Sequence, residues 1–330
     1  MPQIQDQVAE NRRSVQRIDG RFVFVPDSRD ENLSFVRNTF EMSVDVAVYT
    51  RSLNDSLISG HPDPSQGSGR GVAGDVRGAW TLQEGAEVSK DWTRDGRNAT
   101  RDALAGAVGS IYRVVVGTGS TDSSPSDSSL DAQTGDSFAY GIRSGQAHNE
   151  VRARANFLFS ETGEGGLDPV EFGLEDSSGR LLCRITTGGV TVSSTEEVRV
   201  DITVTVTGGG NGTAVITDDG ETAVARALQL ESESVGLNEI AWGTDATDPT
   251  EGDTSLGAEV YRANCERTTS LEVITVSAPQ FESQPSGQPY DYTEVGVFDN
   301  EGRMVYRVVF DPFEKTDNVR FTTTVGFRIV

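Results

Sequence analysis

The chain contains an internal duplication, in which residues 93–206 and 217–329 are two tandem copies of one unit. Three pairs of blocks align: 93–104 with 217–228, 114–133 with 240–259, and 167–184 with 290–307. The offsets of 124, 126 and 123 residues are nearly constant, and 21 of the 50 aligned residues are identical. Such a repeat means that one folded unit was duplicated and that its loops then changed length. Two units of the same fold are therefore expected in tandem.

Each unit has the pattern of a short helix followed by strands. The helix comes after an Asp-Gly turn, at Gly96 in the first copy and Gly220 in the second, and its alanine and leucine residues form one apolar face. Polar–apolar alternation with a period of two then predicts antiparallel strands, which pack as sandwiches. We therefore predict a mainly β protein. It would have an N-terminal docking or oligomerisation segment at 1–92, then antiparallel β-sandwich modules at 93–208 and 215–330, each opened by a short helix.

Turn residues mark where the predicted strands end. Gly117 and Gly243 follow the first strands, at 111–116 and 239–242, where the chain must turn sharply. A polar loop then leads in each copy to a leucine that is expected to return to the core, at Leu130 and Leu256. The further strands are predicted at 151–159, 198–206 and 321–329, with hairpin turns at 177–179 and 300–302.

The segments outside the two copies are less regular. Loosely helical spacing predicts a short polar helix over residues 3–17, and apolar runs predict strands at 21–25 and 42–49. A Gly/Ser/Pro-rich stretch at 59–74 is typical of a loop. The linker between the copies, TGGGNGTA at 207–214, is short and rich in glycine, so the two modules are expected to sit as neighbouring beads.

The charge balance indicates an environment of high salt. Acidic residues number 51 against 28 basic ones, for a formal net charge of −23, and only Lys90 and Lys315 are lysines. Few lysines with many carboxylates are typical of extreme halophiles. In molar salt the Debye length is about 3 Å, so self-repulsion is screened while the carboxylates stay hydrated. The alternative is an acidic protein of moderate salt that happens to prefer arginine.

Several partner classes are disfavoured by the same composition. Nucleic acid requires a basic face, and no cluster of lysine and arginine stands out in the sequence. No apolar run approaches 18 residues, so membrane insertion is not expected. The polar start, MPQIQD, does not resemble a signal peptide. Cys183 and Cys265 occupy non-equivalent positions in the two copies, which favours free and mostly buried thiols over a disulfide.

The order of motifs resembles the N-terminal modules of phage tail-collar and tail-fibre proteins. Those modules carry an Ala-Leu helix, a strand ending in VGTG, a polar loop ending in leucine, and a Glu-x-Gly hairpin with Gly-Arg at its turn. The matching residues here are TRDGRNATRDAL at 93–104, VGTGSTD at 116–122, EVGVFDNEGR at 294–303 with Arg307, and EFGLEDSSGR at 171–180 with Arg184. The first copy departs from the pattern with LDPV at 167–170, where the second has YDYT, and residues 1–92 have no counterpart.

Together with the halophilic composition, the resemblance implies a virion structural protein of a tailed virus that infects haloarchaea. It would form part of the tail tip, the baseplate or the base of a tail fibre, and would aid attachment to the host. The alternatives are a capsid vertex turret protein and a free-standing carbohydrate-binding adhesin. The implied partners are other copies of the chain in a cyclic ring or fibre, other virion proteins, and a host surface glycan or S-layer. Such a protein is assembled in the host cytoplasm and released with the virion by lysis.

The sequence offers no catalytic constellation, so we predict that the protein is not an enzyme. Its two histidines are His61, in the Gly/Ser/Pro-rich stretch, and His148, in a polar segment without a recognisable partner. Zinc-protease, nucleophile-elbow, P-loop and dinucleotide-binding motifs are missing from the chain. We therefore assign no catalytic residue.

Two recurring groups of polar residues remain. Asp122 and Asp127 in the first copy correspond to Asp248 and Asp253 in the second, in loops rich in hydroxyls. Such loops can bind Ca²⁺, Mg²⁺ or Na⁺, or can simply form solvated Asx and Ser/Thr turns, and no other cofactor is indicated. The second group is predicted to be structural, as one cross-strand ion pair in each copy: Glu171 with Arg184, and Glu294 with Arg307.

Overall fold

The structure is a computed structural model. It describes residues 16–18, 21–23, 30–52, 81–83, 87–107, 110–138, 140–144, 147–158, 168–192, 196–209, 213–229, 235–287, 289–317 and 319–330. Within these residues the chain forms twenty strands and two short helices. The prediction of a mainly β fold is confirmed. Neither of the two described helices has the length and apolar character needed to cross a membrane.

The N-terminal segment supplies four strands, β1 (Gln16–Ile18), β2 (Arg21–Val23), β3 (Asp30–Ser52) and β4 (Thr81–Gln83). β1 and β2 pair with each other as a two-stranded ribbon. The strand predicted at 42–49 is confirmed but is part of the much longer β3. The predicted helix at 3–17 is wrong at residues 16 and 17, which belong to β1. The rest of that segment, and the loop predicted at 59–74, lie outside the described residues.

Both copies have the same order of elements, namely a strand, a helix and seven further strands. The first copy consists of β5 (Glu87–Trp92), α1 (Arg94–Leu104), β6 (Ile111–Gly117), β7 (Gln133–Phe138), β8 (Tyr140–Ser144), β9 (Glu150–Leu158), β10 (Glu171–Asp176), β11 (Leu181–Thr187) and β12 (Glu196–Gly208). The second consists of β13 (Ala214–Ile216), α2 (Asp218–Gln229), β14 (Leu237–Gly243), β15 (Glu259–Asn264), β16 (Glu266–Ser270), β17 (Val273–Gln280), β18 (Tyr290–Asp299), β19 (Met304–Lys315) and β20 (Arg320–Ile329). A strand thus precedes each helix, which the sequence analysis did not predict.

The two copies build three sheets between them. Each copy forms its own five-stranded antiparallel sheet, in the equivalent orders β5-β11-β10-β6-β7 and β13-β19-β18-β14-β15. The remaining three strands of each copy enter one shared sheet, in the order β16-β17-β20-β3-β12-β9-β8, and β4 pairs with β3 at its side. We call this shared sheet the central sheet.

Strand β3 joins the two copies. Its first part, from Asp30 to Phe40, pairs in parallel with β20 of the second copy. Its second part, from Phe40 to Ser52, pairs antiparallel with β12 of the first copy. Phe40 therefore lies opposite residues of both copies. The expectation that the two modules sit as neighbouring beads is wrong, because strands of both copies are hydrogen-bonded into one sheet through β3.

A change of register within β3 sets which side chains face the core. Val36 lies opposite Gly326 while Asn38 lies opposite Phe327, so one residue of β3 is left over at this point, as in a β-bulge. Since successive side chains of a strand point to opposite faces, the extra residue switches the inward set from odd to even numbers. The buried side chains are Leu33 and Phe35 before the bulge, and Asn38, Phe40, Val44, Val48 and Thr50 at and after it.

The two helices begin with the same N-cap. The hydroxyl oxygen of Thr93 accepts a hydrogen bond from the backbone N–H of Gly96 at 3.0 Å, and Thr217 does the same for Gly220 at 3.1 Å. A side chain at either glycine would collide with a backbone carbonyl of the strand beneath, in β11 or β19. The predicted Asp-Gly pairs lie within the first turn of each helix and not before it, and the glycine of each pair allows the close helix–strand contact.

Each helix also contacts the other copy. α1 lies against β20 and β17, whereas α2 lies against β12, β9 and β8, and the helices contact each other. One hydrophobic cluster consequently runs through both copies. The predicted buried leucines are confirmed, since Leu130 and Leu256 are each 5% exposed. The predicted hairpin turns are confirmed too, with Gly179 and Gly302 in the left-handed region at φ of 78° and 81°.

Candidate functional site: two buried arginine–carboxylate clusters

The predicted glutamate–arginine pairs are both present, at the centre of two equivalent clusters. In the first copy, Arg184 contacts the Glu171 carboxylate with Nε at 3.1 Å and Nη2 at 2.9 Å. In the second, Arg307 contacts Glu294 at 3.0 and 2.9 Å. The glutamates are fully buried, and the arginines are 1% and 4% exposed. A charge pair removed from water in this way is stable only if its remaining polar atoms are also satisfied.

The carboxylate oxygens of each buried glutamate accept hydrogen bonds from backbone N–H groups of a loop that precedes it in the chain. In the first copy this is the β6–β7 loop, residues 118–132, and in the second the β14–β15 loop, residues 244–258. The donors to Glu171 are Gly119 at 3.0 Å, Asp131 at 3.0 Å and Ala132 at 2.8 Å. The donors to Glu294 are the aligned Asp245 at 3.3 Å, Gly257 at 3.1 Å and Ala258 at 2.8 Å. The glutamate thus fixes the base of the loop.

The far end of each loop is tied to a helix. The backbone N–H of Arg94 donates to the carbonyl of Pro125 at 2.7 Å, and that of Asp218 donates to Glu251 at 2.8 Å. These N–H groups belong to the first helical turn, where no partner exists within the helix. The loop therefore connects the helix start to the buried ion pair in both copies.

Gly117 and Gly243 are explained by this cluster and not by a sharp turn. Neither residue has a positive φ. A Cβ atom at Gly117 would lie 2.5 Å from Oε1 of Glu171 and 2.5 Å from the carbonyl oxygen of Ala132. At Gly243 it would collide with Glu294 and lie 2.6 Å from the carbonyl of Ala258. The two glycines were predicted correctly, but the predicted reason, a sharp turn, is wrong.

Two of the four aspartates predicted as cation ligands contact an arginine. Oδ2 of Asp127 accepts a hydrogen bond from Nη1 of Arg184 at 2.9 Å, and Oδ2 of Asp253 accepts one from Nη1 of Arg307 at 2.7 Å. Each of these oxygens also accepts a backbone N–H of its own loop, at 2.9 and 3.0 Å. A metal ion at either position would have to compete with a guanidinium. The other two, Asp122 and Asp248, are exposed on the same loops, and cation binding by the loops stays a prediction.

Each cluster contains a third carboxylate that was not predicted from the sequence. Nη2 of Arg184 lies 2.8 Å from Asp131, and Nη2 of Arg307 lies 3.4 Å from Asp245. These two aspartates are not aligned with each other. Asp131 aligns with Gly257, and Asp245 aligns with Gly119. At these two aligned positions each copy has one aspartate and one glycine, and the two copies have them in opposite order. This reciprocal exchange in the alignment was the signal that could have revealed the contact.

The electrostatics follow from three carboxylates around one guanidinium. Burial alone would lower the pKa of Arg184, but its hydrogen bonds with Asp127 and Asp131 and the charge of Glu171 raise it. The hydrogen bond from Thr121, together with Arg184, lowers the pKa of Asp131. Hydrogen bonds from Thr247 and the charge of Arg307 likewise lower the pKa of Asp245. The pKa shifts of Arg184, Asp131 and Asp245 thus favour the charged form of each group, as expected for ion pairs that hold a loop in place.

The exchange of aspartate and glycine predicts compensation between two substitutions in the first copy. Gly119→Asp alone should cost about 1–3 kcal/mol of unfolding free energy, since its Cβ would lie 2.6 Å from both Asp131 and Glu171. Asp131→Gly alone should lower the urea midpoint modestly by removing one partner of Arg184. The double variant recreates the arrangement of the second copy, so its midpoint should exceed that of Gly119→Asp. Additive losses in urea denaturation would contradict this pairing.

The two thiols and the described histidine, His148, lie outside the two clusters. Cys183 and Cys265 are free, as predicted, and burial raises the pKa of the first to about 12 and of the second to about 11. Neither thiol therefore has the acidity of a reactive nucleophile. His61 lies outside the described residues. His148 lies beside the first turn of α2, where its Nε2 is 3.2 Å from Glu221.

Comparison with known proteins identifies no relative, since no family model, no curated protein and no solved structure matches the chain.

Proposed function

We propose that this chain is a structural subunit of the virion of a tailed virus of halophilic archaea, located in the tail tip, the baseplate or the base of a tail fibre. One observation carries the proposal. Both copies retain the same ordered set of motifs. In each copy these motifs form the same buried arginine–carboxylate cluster, with Arg184 and Glu171 in the first and Arg307 and Glu294 in the second. Both copies have therefore kept the residues that hold a loop against a sheet.

The way the copies are joined supports a role in assembly. A single strand, β3, pairs with both copies, and one hydrophobic cluster runs through both. Such a connection resists relative motion of the modules, which a load-bearing or projecting part requires. The composition of −23 formal charges with two lysines supports a halophilic setting. The order of tail-collar-like motifs supports the viral assignment.

The alternative of a free-standing carbohydrate-binding adhesin would favour tryptophans on an exposed face. Trp92 and Trp242 are instead buried, at 5% and 0% exposure, while Trp80 lies outside the described residues. The indole N–H of Trp242 donates to Thr323 at 2.7 Å within the core. The described tryptophans thus give the adhesin no support. A capsid vertex turret would use the same modules at another place on the particle.

The proposal predicts a closed homo-oligomer that belongs to the virion. Recombinant protein in molar salt should give a single oligomeric mass by light scattering, because cyclic symmetry is the usual way in which such subunits associate. Antibodies against the chain should label purified virions at the tail. Labelling at head vertices would instead support the turret. A monomer at all concentrations, together with virions that lack the chain, would refute the proposal.

A further inference from the structure

Besides the pairing of β3 and the contact between the helices, the two copies have two equivalent contacts, each between a helix of one copy and a strand turn of the other. In the first contact, Arg97 of α1 lies with Nε 3.2 Å from Glu272, in the β16–β17 turn. In the second, Glu221 of α2 lies with Oε2 3.2 Å from Nε2 of His148, which precedes β9. Arg97 and Glu221 occupy the same position in the aligned helices. The second contact is therefore the counterpart of the first.

The two contacts differ in their charge balance. In the first, the arginine and the glutamate neutralise each other. In the second, the helix offers two carboxylates, Glu221 and Asp218, where the first helix has Arg97 and Arg94. Both carboxylates face one imidazole, since Nε2 of His148 also lies 3.5 Å from Oδ1 of Asp218. The three residues of this contact include no arginine, whereas the counterpart contact contains Arg97.

The three atoms are spaced like the ligands of one metal ion. Nε2 of His148 lies 3.2 and 3.5 Å from the two carboxylate oxygens, and all three atoms lie within 4.8 Å of one another. A tetrahedral ion with bonds of about 2.0–2.2 Å holds its ligand atoms roughly 3.3–3.6 Å apart. The two separations from Nε2 are close to this range.

One ligand is held in place by the fold. Glu221 is 8% exposed, and its other carboxylate oxygen, Oε1, accepts the backbone N–H of Gly208 at 2.5 Å. That bond links α2 to the end of β12 and leaves Oε2 directed at His148. A carboxylate fixed by an outer hydrogen bond is the arrangement in which metal ligands are usually found.

We propose that a divalent transition-metal ion of the zinc type binds to His148, Asp218 and Glu221, with water completing its coordination. The imidazole nitrogen favours zinc and similar ions over Ca²⁺ and Mg²⁺, which prefer oxygen ligands. The ion would connect α2 of the second copy to the turn before β9 of the first, and would supply a positive charge. This site is separate from the aspartate loops and does not depend on the proposed viral function.

The test uses the full chain freed of metal by chelator and titrated with Zn²⁺ in a calorimeter. Wild-type protein should bind one equivalent and gain thermal stability, since an ion that binds only the folded state raises its melting temperature. His148→Ala should abolish this binding. Glu221→Gln and Asp218→Asn should each weaken it at least tenfold. His148 is 46% exposed, so His148→Ala should fold and melt like the metal-free wild type.

Two control variants make the result specific. His61→Ala removes the only other imidazole in the chain, and Asp122→Ala with Asp248→Ala removes the exposed aspartates of the two loops. Both controls should still bind one equivalent of Zn²⁺ with wild-type affinity. The proposal is overturned if His148→Ala binds Zn²⁺ as the wild type does, if His61→Ala abolishes binding, or if the wild type binds no equivalent.

Discussion

Replacing Arg184 by methionine is expected to lower the free energy of unfolding by about 3–5 kcal/mol, the usual cost of removing one partner of a buried ion pair. Methionine fills much of the same volume but leaves Glu171 buried and without its guanidinium. The β6–β7 loop would then lose the arginine contacts of Asp127 and Asp131 as well. Urea denaturation followed by circular dichroism, in molar salt, measures the loss.

A matched control distinguishes the effect of losing a buried arginine from the effect of losing any arginine. Arg328→Met removes an arginine that is 61% exposed and pairs with Glu272 at 3.6 Å, so it should cost under about 1 kcal/mol. The double variant Arg184→Met with Glu171→Gln should recover part of the loss, because no buried charge is then left unpaired. Equal stability of Arg184→Met and Arg328→Met would show that the buried cluster around Arg184 does not stabilise the fold.

The features that the sequence predicted correctly are those set by local spacing. Glu171 and Arg184 lie 13 residues apart across one hairpin, so the turn at Gly179 brings the two side chains together whatever the rest of the chain does. The same reasoning placed Leu130 in the core, because a polar loop that ends in a leucine must cover the sheet from which it starts. Repetition in two copies strengthened each of these inferences.

The features that the sequence did not reveal depend on contacts between distant segments. Nothing near Phe40 indicates that it will lie opposite both Gly208 and Ile329, since pairing partners in a sheet are chosen by the whole fold. The contact of Asp127 with Arg184 was missed for a related reason. Asp127 matches a cation ligand in type and setting, but only the folded chain shows that the guanidinium of Arg184 donates a hydrogen bond to it. Cation binding by the loops stays a prediction.

Phe40→Ala is expected to lower the free energy of unfolding by about 3–5 kcal/mol, as deletion of a buried phenylalanine ring usually does. The ring is fully buried and lies 6.0 Å from that of Phe327, in the last strand of the second copy. The backbone of Phe40 also accepts a hydrogen bond from Val330 at 3.0 Å. A cavity here would open at the point where β3 passes from one copy to the other.

The position of Phe40 makes a second result diagnostic. Trp92 reports on the first copy and Trp242 on the second. Variants that keep only one of the three tryptophans, either Trp92 or Trp242, therefore follow each copy by fluorescence. With an intact β3 both reporters should unfold at the same urea concentration, because one hydrophobic cluster includes both copies. Phe40→Ala should separate the two midpoints, since it weakens the strand that couples them. Phe281→Ala, which truncates a ring that is 44% exposed, should leave the midpoints together, and an equal effect of the two substitutions would show that β3 does not couple the copies.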